Sequence, residues 1–354
     1  MEECLLIVPD VKGDDGVFDY MAQRKKVALE GEVFDSAIIV FSDYAPNEFC
    51  ICITGHHVKA DGLQTMRALY LLSDNLERDK NSSPFSKLKT PSLTNWIMIL
   101  LTLPYSVFMN LSHYFERPFD RNCIKNHPHF MTGRLRARNA LEISTEAARN
   151  LCKNQGFKLS ELTAGLVSQT LSQYFEEKGE QARHVTVSLP VSMGNIDTNF
   201  GATAKLGNCF VSLSAYMPLD SDLTQATLKH RKSLSIFDNK LMVPGMYALI
   251  YLQNLLLSRH LVQGILREAG KKHSLLLSYI PGFLAPVHFA GGRARKVFGF
   301  GVGAGNMATA VLVMSTSEVM QLSVNSDESQ IEDIDLFVRL LDKNIRKANI
   351  HIKK

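Results

Sequence analysis

The 354-residue sequence is poor in several signatures, and each absence narrows the field. Its six cysteines include no C-x-x-C pair, and a chain with 45% hydrophobic residues has a core large enough to stand without disulfide staples. A reducing, cytosol-facing environment is expected. The eleven histidines show no H-E-x-x-H or paired-ligand spacing, so no metal site is expected, and the lack of G-x-S-x-G speaks against a serine hydrolase. The glycine-rich run Gly299–Gly305 lacks G-K-S/T and falls late, between strand-like segments; it reads as a hairpin or substrate-edge loop rather than a phosphate cradle. A net charge of +4, spread along the chain, leaves no nucleic-acid footprint. The acidic start, Met1 to Leu6, carries too short an apolar run for a signal peptide.

What is present centres on Gly55-His56-His57-Val58-Lys59-Ala60-Asp61-Gly62. Before it, Phe49–Ile53 is short, apolar and β-branched. After it, Leu63, Met66, Arg67, Leu69, Tyr70 and Leu71 recur at helical spacing. The pattern is strand, tight turn, helix. Neighbouring side chains on a strand point to opposite faces, so one of His56 and His57 is read as chemical and the other as structural. Asp61 sits where a carboxylate caps the following helix, and Gly62 suits a sharp backbone turn.

The remaining pattern is mixed. Residues 1–48 read as short strands, clearest at Ser36–Phe41, with a loop from Asp10 to Asp19. A lysine-rich loop covers about 75–89. Ser144 is read as the N-cap of a helix to Lys153, and Ser160 as the N-cap of another to about Glu177. Helical spacing recurs over 222–237, 246–266 and 331–347. Strands are expected at 135–143, 184–190 (ended by Pro190), 209–213, 275–278, 297–300, 308–314 and 319–324. Helices and strands alternate without strict βαβ repetition, which implies a mixed α/β protein with two sheets.

Residues 93–111 contain no charged side chain and are about as long as the roughly 20 residues that cross a bilayer. A membrane-embedded segment is expected, with a core helix or a re-entrant, interfacial helix as the alternatives that Asn95, Pro104 and Asn110 favour. The basic flank Arg117, Arg121, Lys125, Arg134, Arg136 and Arg138 reads as a surface for anionic headgroups or coenzyme phosphates, or as a solvated face.

The His56-His57-x-x-x-Asp61-Gly62 pattern, at a strand end before a helix, resembles the HHxxxDG motif of the coenzyme A-dependent acyltransferase superfamily, which includes chloramphenicol acetyltransferase and condensation domains. Val187–Ser192 followed by Gly207-Asn208, Ser278–Gly282 with Ala290-Gly291-Gly292 behind it, and Leu322–Asp327 are similar to segments of the wax ester synthase/diacylglycerol acyltransferase family. The resemblance spans roughly residues 25–350. It implies a two-subdomain chloramphenicol acetyltransferase-like α/β fold, here divided at 1–130 and 131–354, with mixed sheets and a tunnel between the halves. It also implies His57 as general base and His56, Asp61 and Gly62 as structural support. Asn208, Ser278, Pro281 and Gly282 are implied at the substrate, acyl-CoA is the co-substrate and no bound cofactor is expected.

The activity so implied is transfer of a fatty acyl group to a long-chain alcohol or diacylglycerol. The expected setting is membrane-associated, at the endoplasmic reticulum with a cytosol-facing site. A general base is needed because a neutral alcohol is a weak nucleophile, and histidine, with a pKa of ~6.5, suits that role. The resemblance pairs Asp61 with an arginine, for which Arg293 and Arg295 are candidates, since Met193-Gly194-Asn195 stands where relatives carry one. Ser160-Glu161 replaces the family's Asn-Asp pair, Tyr279 replaces an asparagine, and no Pro-Leu-Trp occurs. Fewer residues precede the motif than in relatives, which reads as a minimal or truncated N-terminal half. Two rival readings stay open: a soluble acyltransferase with a small polar acceptor, and a catalytically inactive lipid-binding pseudoenzyme.

Overall fold

The computed structural model describes residues 5–29, 37–55, 57, 60–75, 93–115, 120–125, 131–192, 210–235, 242–283, 285–301 and 307–352. In chain order the first elements are β1 (Leu5–Val8), α1 (Gly13–Leu29), β2 (Ala37–Ala45), β3 (Glu48–Thr54), α2 (Gly62–Leu71) and α3 (Leu93–Phe115). There follow β4 (Leu135–Asn139), β5 (Ile143–Ser144), α4 (Thr145–Gln155), α5 (Leu159–Glu177), β6 (His184–Ser192), β7 (Phe210–Pro218), α6 (Leu223–Leu234), α7 (Met242–Leu256) and α8 (Arg259–Lys271). The chain closes with β8 (Leu275–Ile280), β9 (His288–Phe289), β10 (Gly292–Arg293), β11 (Thr309–Ser315), β12 (Val319–Asp327) and α9 (Ile334–Lys347).

Two larger sheets organise most of these elements, and β9 and β10 form a separate antiparallel pair beyond the two sheets expected. A three-stranded sheet runs β1-β2-β3, parallel then antiparallel. A seven-stranded sheet runs β4-β12-β11-β8-β6-β7, with β5 also on β12; β8 is parallel to both its neighbours and the other pairs are antiparallel. The main core lies against this larger sheet. There α5 buries Leu162, Leu166, Leu171 and Phe175 beside Phe337, Leu341 and Ile345 of α9. A smaller core joins Val17 and Met21 of α1 to Ile39 and Phe41 of β2.

Side-chain chemistry ties the two sheets together. Asp14 of α1 accepts from Lys296 Nζ at 2.6 Å and from Asn139 Nδ2 of β4 at 2.8 Å, and the Tyr44 hydroxyl of β2 donates to its other oxygen. Burial alone raises the Asp14 pKa, but the Lys296 ammonium and these donors hold it below the usual carboxylate value.

Several local expectations change. Of the loop expected at Asp10–Asp19, only residues 10–12 are loop; from Gly13 the chain is the start of α1. Asp14 and Asp15 occupy its first turn, where the helix dipole favours acids, and Val17, Phe18 and Met21 supply a buried stripe. Ser144 does cap α4, accepting from Ala147 N, but α5 starts two residues early: Lys158 is its N-cap and Glu161 accepts from the Lys158 backbone N–H. The single helix expected over 246–266 is two, because Ser258 caps α8 and breaks the run. Pro190 lies inside β6 rather than ending it. There β6 pairs only with β7, since its pairing with β8 is confined to Val187 and Ser188, and a proline is tolerated on such a one-sided stretch. Residues 297–300 form no strand; Gly299 N and Gly301 N instead donate to side chains of β12, Ser323 and Asn325.

The bilayer-crossing reading of 93–111 is also overturned. The segment is helical, within α3, but among the described residues no helix is long and apolar enough to cross a membrane. Asn110 has structural work instead: it is buried and donates to the Met242 carbonyl at 3.1 Å, pinning α3 to α7.

Candidate active site

The short β-branched run of β3 delivers the chain to a turn, and on that turn His57 is exposed. Its ring meets the Phe210 ring edge-on, with centroids 5.6 Å apart. Phe210 opens β7 and is paired with Ser192, the last residue of β6, so His57 sits over the open ends of these two strands. A histidine from the N-terminal sheet is thereby brought to the C-terminal sheet.

Asp61 ends the turn. It is buried, holds an extended backbone (φ −81°, ψ 175°), and its Oδ1 accepts from Gln64 N at 2.9 Å, satisfying one of the free N–H groups of α2. The Asp61 carbonyl accepts from both Thr65 N and Thr65 Oγ1, tightening the same turn. Gly62 follows for a reason other than the one its sequence position suggests. Its φ is not among the left-handed ones, but a Cβ there would lie 2.6 Å from Ile280 Cδ1 at the end of β8. The glycine permits close approach.

From there α2 is held by the C-terminal part of the chain. Met66 and Tyr70 are buried against Phe283, Val287 and Met314. Beyond the helix, Asp74 accepts from Ala290 N and Gly291 N, and Asn75 accepts from His288 N and donates to the Pro286 carbonyl. The positive φ of Ala290 and Gly291, 48° and 77°, forms the tight β9–β10 turn whose N–H groups face Asp74. Gly282 is a second close approach, and a more severe one: a Cβ would fall 1.5 Å from the Ser315 carbonyl oxygen. Ser278 is buried in β8 opposite Leu312 of β11, and Pro281 is half-buried between Ile280 and Gly282.

His56 and Asn208 lie outside the described residues, as do His127, His129 and Arg117 of the basic flank. The structure thus brings together His57, Asp61, Gly62 and the β8 end at Ile280–Gly282. Phe210, Ile280 and Ser315, which the sequence reading did not single out, complete the neighbourhood; the signal available was only that Ile280 precedes Pro281-Gly282. The arginines proposed for Asp61 are engaged elsewhere. Arg295 reaches both oxygens of Glu142, at 2.6 and 2.8 Å, and Arg293 pairs with Glu318.

Four residues of the basic flank are likewise engaged, while Arg121 is exposed. Arg134 and Arg136 pair with Glu328, and Arg138 lies among Asp15, Asp19 and Asp335. Lys125 is buried, donates to the Gly270 carbonyl, and is lowered to about 8 by burial, partly offset by Asp120. Among the described residues no three His, Cys, Asp or Glu come together as a metal site. A cavity of about 340 Å³ lies at the α5 C-terminus around Phe175 and Gly179, where the chain enters β6, at the opposite end of the sheet from Ile280.

Comparison with known proteins bears on the fold. The family model for the WS/DGAT C-terminal domain matches residues 206–348. No curated protein matches. Among solved structures, the fold is similar to the wax ester synthase/diacylglycerol acyltransferase from Marinobacter aquaeolei VT8, with a TM-score of 0.59 and 13% identity over 98% of this chain and 78% of that one. It is also similar to the first condensation domain of the calcium-dependent antibiotic synthetase (TM-score 0.55, 13% identity, 99% of this chain and 76% of that one). A third likeness is to the starter condensation domain of rhizomide synthetase in complex with C8-CoA and Leu-SNAC (TM-score 0.53, 12% identity, 98% and 78%). At these identities the likeness concerns the fold, the chloramphenicol acetyltransferase-like arrangement of mixed sheets. Residues 206–348 thus match the WS/DGAT C-terminal domain, and the chain as a whole has the fold shared by the Marinobacter wax ester synthase/diacylglycerol acyltransferase and the condensation domains.

Proposed function

We propose that the chain is an acyl-CoA-dependent O-acyltransferase that esterifies a lipid alcohol, either a long-chain alcohol or diacylglycerol, with His57 as general base. The observation that carries this reading is the position of His57. It is exposed on a turn fixed by the Asp61 cap, with its ring against Phe210 where β6 and β7 end. In the reaction the imidazole takes the hydroxyl proton as the alcohol oxygen attacks the thioester carbonyl. The C–S bond then breaks, and the coenzyme A thiolate leaves with that proton. No acyl-enzyme is required. Asp61 and Gly62 act as positioning residues, holding the turn rather than touching substrate.

A lipid acceptor suits the exposed apolar residues of α7, a helix that packs on β7, the strand that begins at Phe210. The test is purified protein with radiolabelled palmitoyl-CoA and, separately, hexadecanol or diacylglycerol, beside His57→Ala. Loss of a general base lowers the rate by about 10² to 10⁴, so ester formed by wild type should fall by that factor. Folded wild-type protein that makes no ester with either acceptor would refute the proposal.

A further inference from the structure

The helices α3, α7 and α8 form an antiparallel layer with an apolar outer face. Asn110, near the end of α3, bonds to Met242 at the start of α7, so α7 runs back along α3. Ser258 then starts α8, which returns until the Lys272 ammonium lies 5.9 Å from the centre of the Phe115 ring, at the end of α3. On α3 the outward residues Ile97, Leu101, Tyr105 and Phe108 recur every three or four positions and are 50 to 73% exposed. A surface helix normally shows the reverse, with its apolar stripe inward. On α7, Tyr251, Leu255 and Leu256 are 62 to 73% exposed.

In α8 the segregation is sharpest. Leu261, Ile265 and Leu266 expose an apolar side, while Arg259, Arg267 and Lys271 supply cations; the one acid, Glu268, pairs with Lys271. Fifteen of the twenty-one large apolar side chains exposed among the described residues belong to these helices or the turn joining α7 and α8. Together they expose on the order of 10³ Å² of apolar surface, where a monomer ordinarily shows a patch of a few hundred.

We propose that this layer docks in the plane of a lipid bilayer bearing anionic headgroups. Three features select that occupant. The charge on the layer is basic and unbalanced, and a second copy would set cations against cations, whereas an anionic headgroup layer complements them. Tyrosines 105, 247 and 251 are exposed on the layer, and an aromatic ring with a polar tip suits a boundary between apolar and wet regions. Finally, α7 and α8, at 15 and 13 residues, fall short of the roughly 20 needed to span, so an in-plane position is the one available to them. The docking is separable from catalysis: it would hold for an inactive chain as well.

The test is flotation of the full chain with phosphatidylcholine vesicles, with and without phosphatidylserine. Wild type should float with the anionic vesicles. The combined variant Arg259→Gln, Arg267→Gln, Lys271→Gln should bind them roughly a hundredfold more weakly, since each basic residue near an anionic surface contributes about fivefold. Leu101→Glu, Leu255→Glu and Leu261→Glu together should abolish flotation, while Leu228→Glu, at an exposed leucine of α6, should float as wild type does. All substituted positions are on exposed surface or at its edge, and unchanged thermal unfolding confirms the fold; the wild-type comparison of the two vesicle types needs no variant. The proposal fails if wild type does not float or if the triple glutamate variant floats unchanged. It also fails if wild type is a dimer in solution that the glutamates dissociate, which would assign the face to a second copy.

Discussion

Replacing Gly62 by alanine tests whether the histidine turn is fixed by its contact with the far half of the chain. The added Cβ would lie 2.6 Å from Ile280 Cδ1 and 3.1 Å from its Cγ1, whereas apolar carbons settle at about 3.5 to 4.0 Å. Something must move by about 1 Å. The obstructing atom is the tip of a side chain, so the expected overpacking cost is at the low end of about 1–3 kcal/mol, offset in part by the better helix propensity of alanine. A net loss of about 1 kcal/mol is expected, together with a displaced α2 start and a larger fall in esterification. Ile280→Val removes Cδ1 and by itself costs about 0.5–1.5 kcal/mol. In the double variant the two losses should not add, with a coupling of about 1 kcal/mol, and activity should recover relative to Gly62→Ala alone. Urea unfolding of the four proteins and their kcat/KM values measure this cycle. Additivity within about 0.3–0.5 kcal/mol, the range for independent sites, would refute the claim that these residues meet.

Gly282→Ala presents a backbone obstacle instead, the Ser315 carbonyl 1.5 Å from the new Cβ, and no side chain can rotate away. Its cost should exceed that of Gly62→Ala, at about 3 kcal/mol or more, seen as a lower urea midpoint or failure to accumulate folded protein; an unchanged midpoint would contradict the packing described. Asp61→Ala removes the cap on Gln64 N and should destabilise by about 1 kcal/mol, whereas Asp61→Asn retains an acceptor and should lose less; equal losses would mean the cap is not what Asp61 supplies. His230 is 1% exposed and burial lowers its pKa to about 4, against the opposing effect of Glu161. The unfolded chain binds that proton below about pH 6.5 and the folded chain only below about 4, so stability should decrease as pH is lowered through this window, by up to about 3 kcal/mol from this group. His230→Gln should flatten the dependence of unfolding free energy between pH 7 and 4, and an unaltered slope would remove His230 as its source.

Features with causes inside a few residues were legible beforehand. The strand, turn and helix around 55–62, the caps at Asp61 and Ser144, and the mixed α/β pattern follow from periodicity and from side chains bonding backbone three positions away. Where competing local signals overlapped, the reading slipped. Gly13 and Gly16 suggested a loop, although Asp14, Asp15 and the stripe Val17, Phe18 and Met21 belong to α1. A continuous apolar run hid the Ser258 break between α7 and α8. The absence of charge over 93–111 suggested a bilayer span, while a buried Asn110 and an apolar outer stripe give α3 a different role.

By itself, then, the sequence determined the residue types of the histidine motif and their spacing, because one turn of chain suffices to place His57 ahead of a capped helix. Only the tertiary structure decided what those residues face. Phe210 beside His57, Ile280 beside Gly62 and Ser315 beside Gly282 depend on how two sheets pack, and contacts between chain segments far apart in sequence leave no periodic trace in either segment.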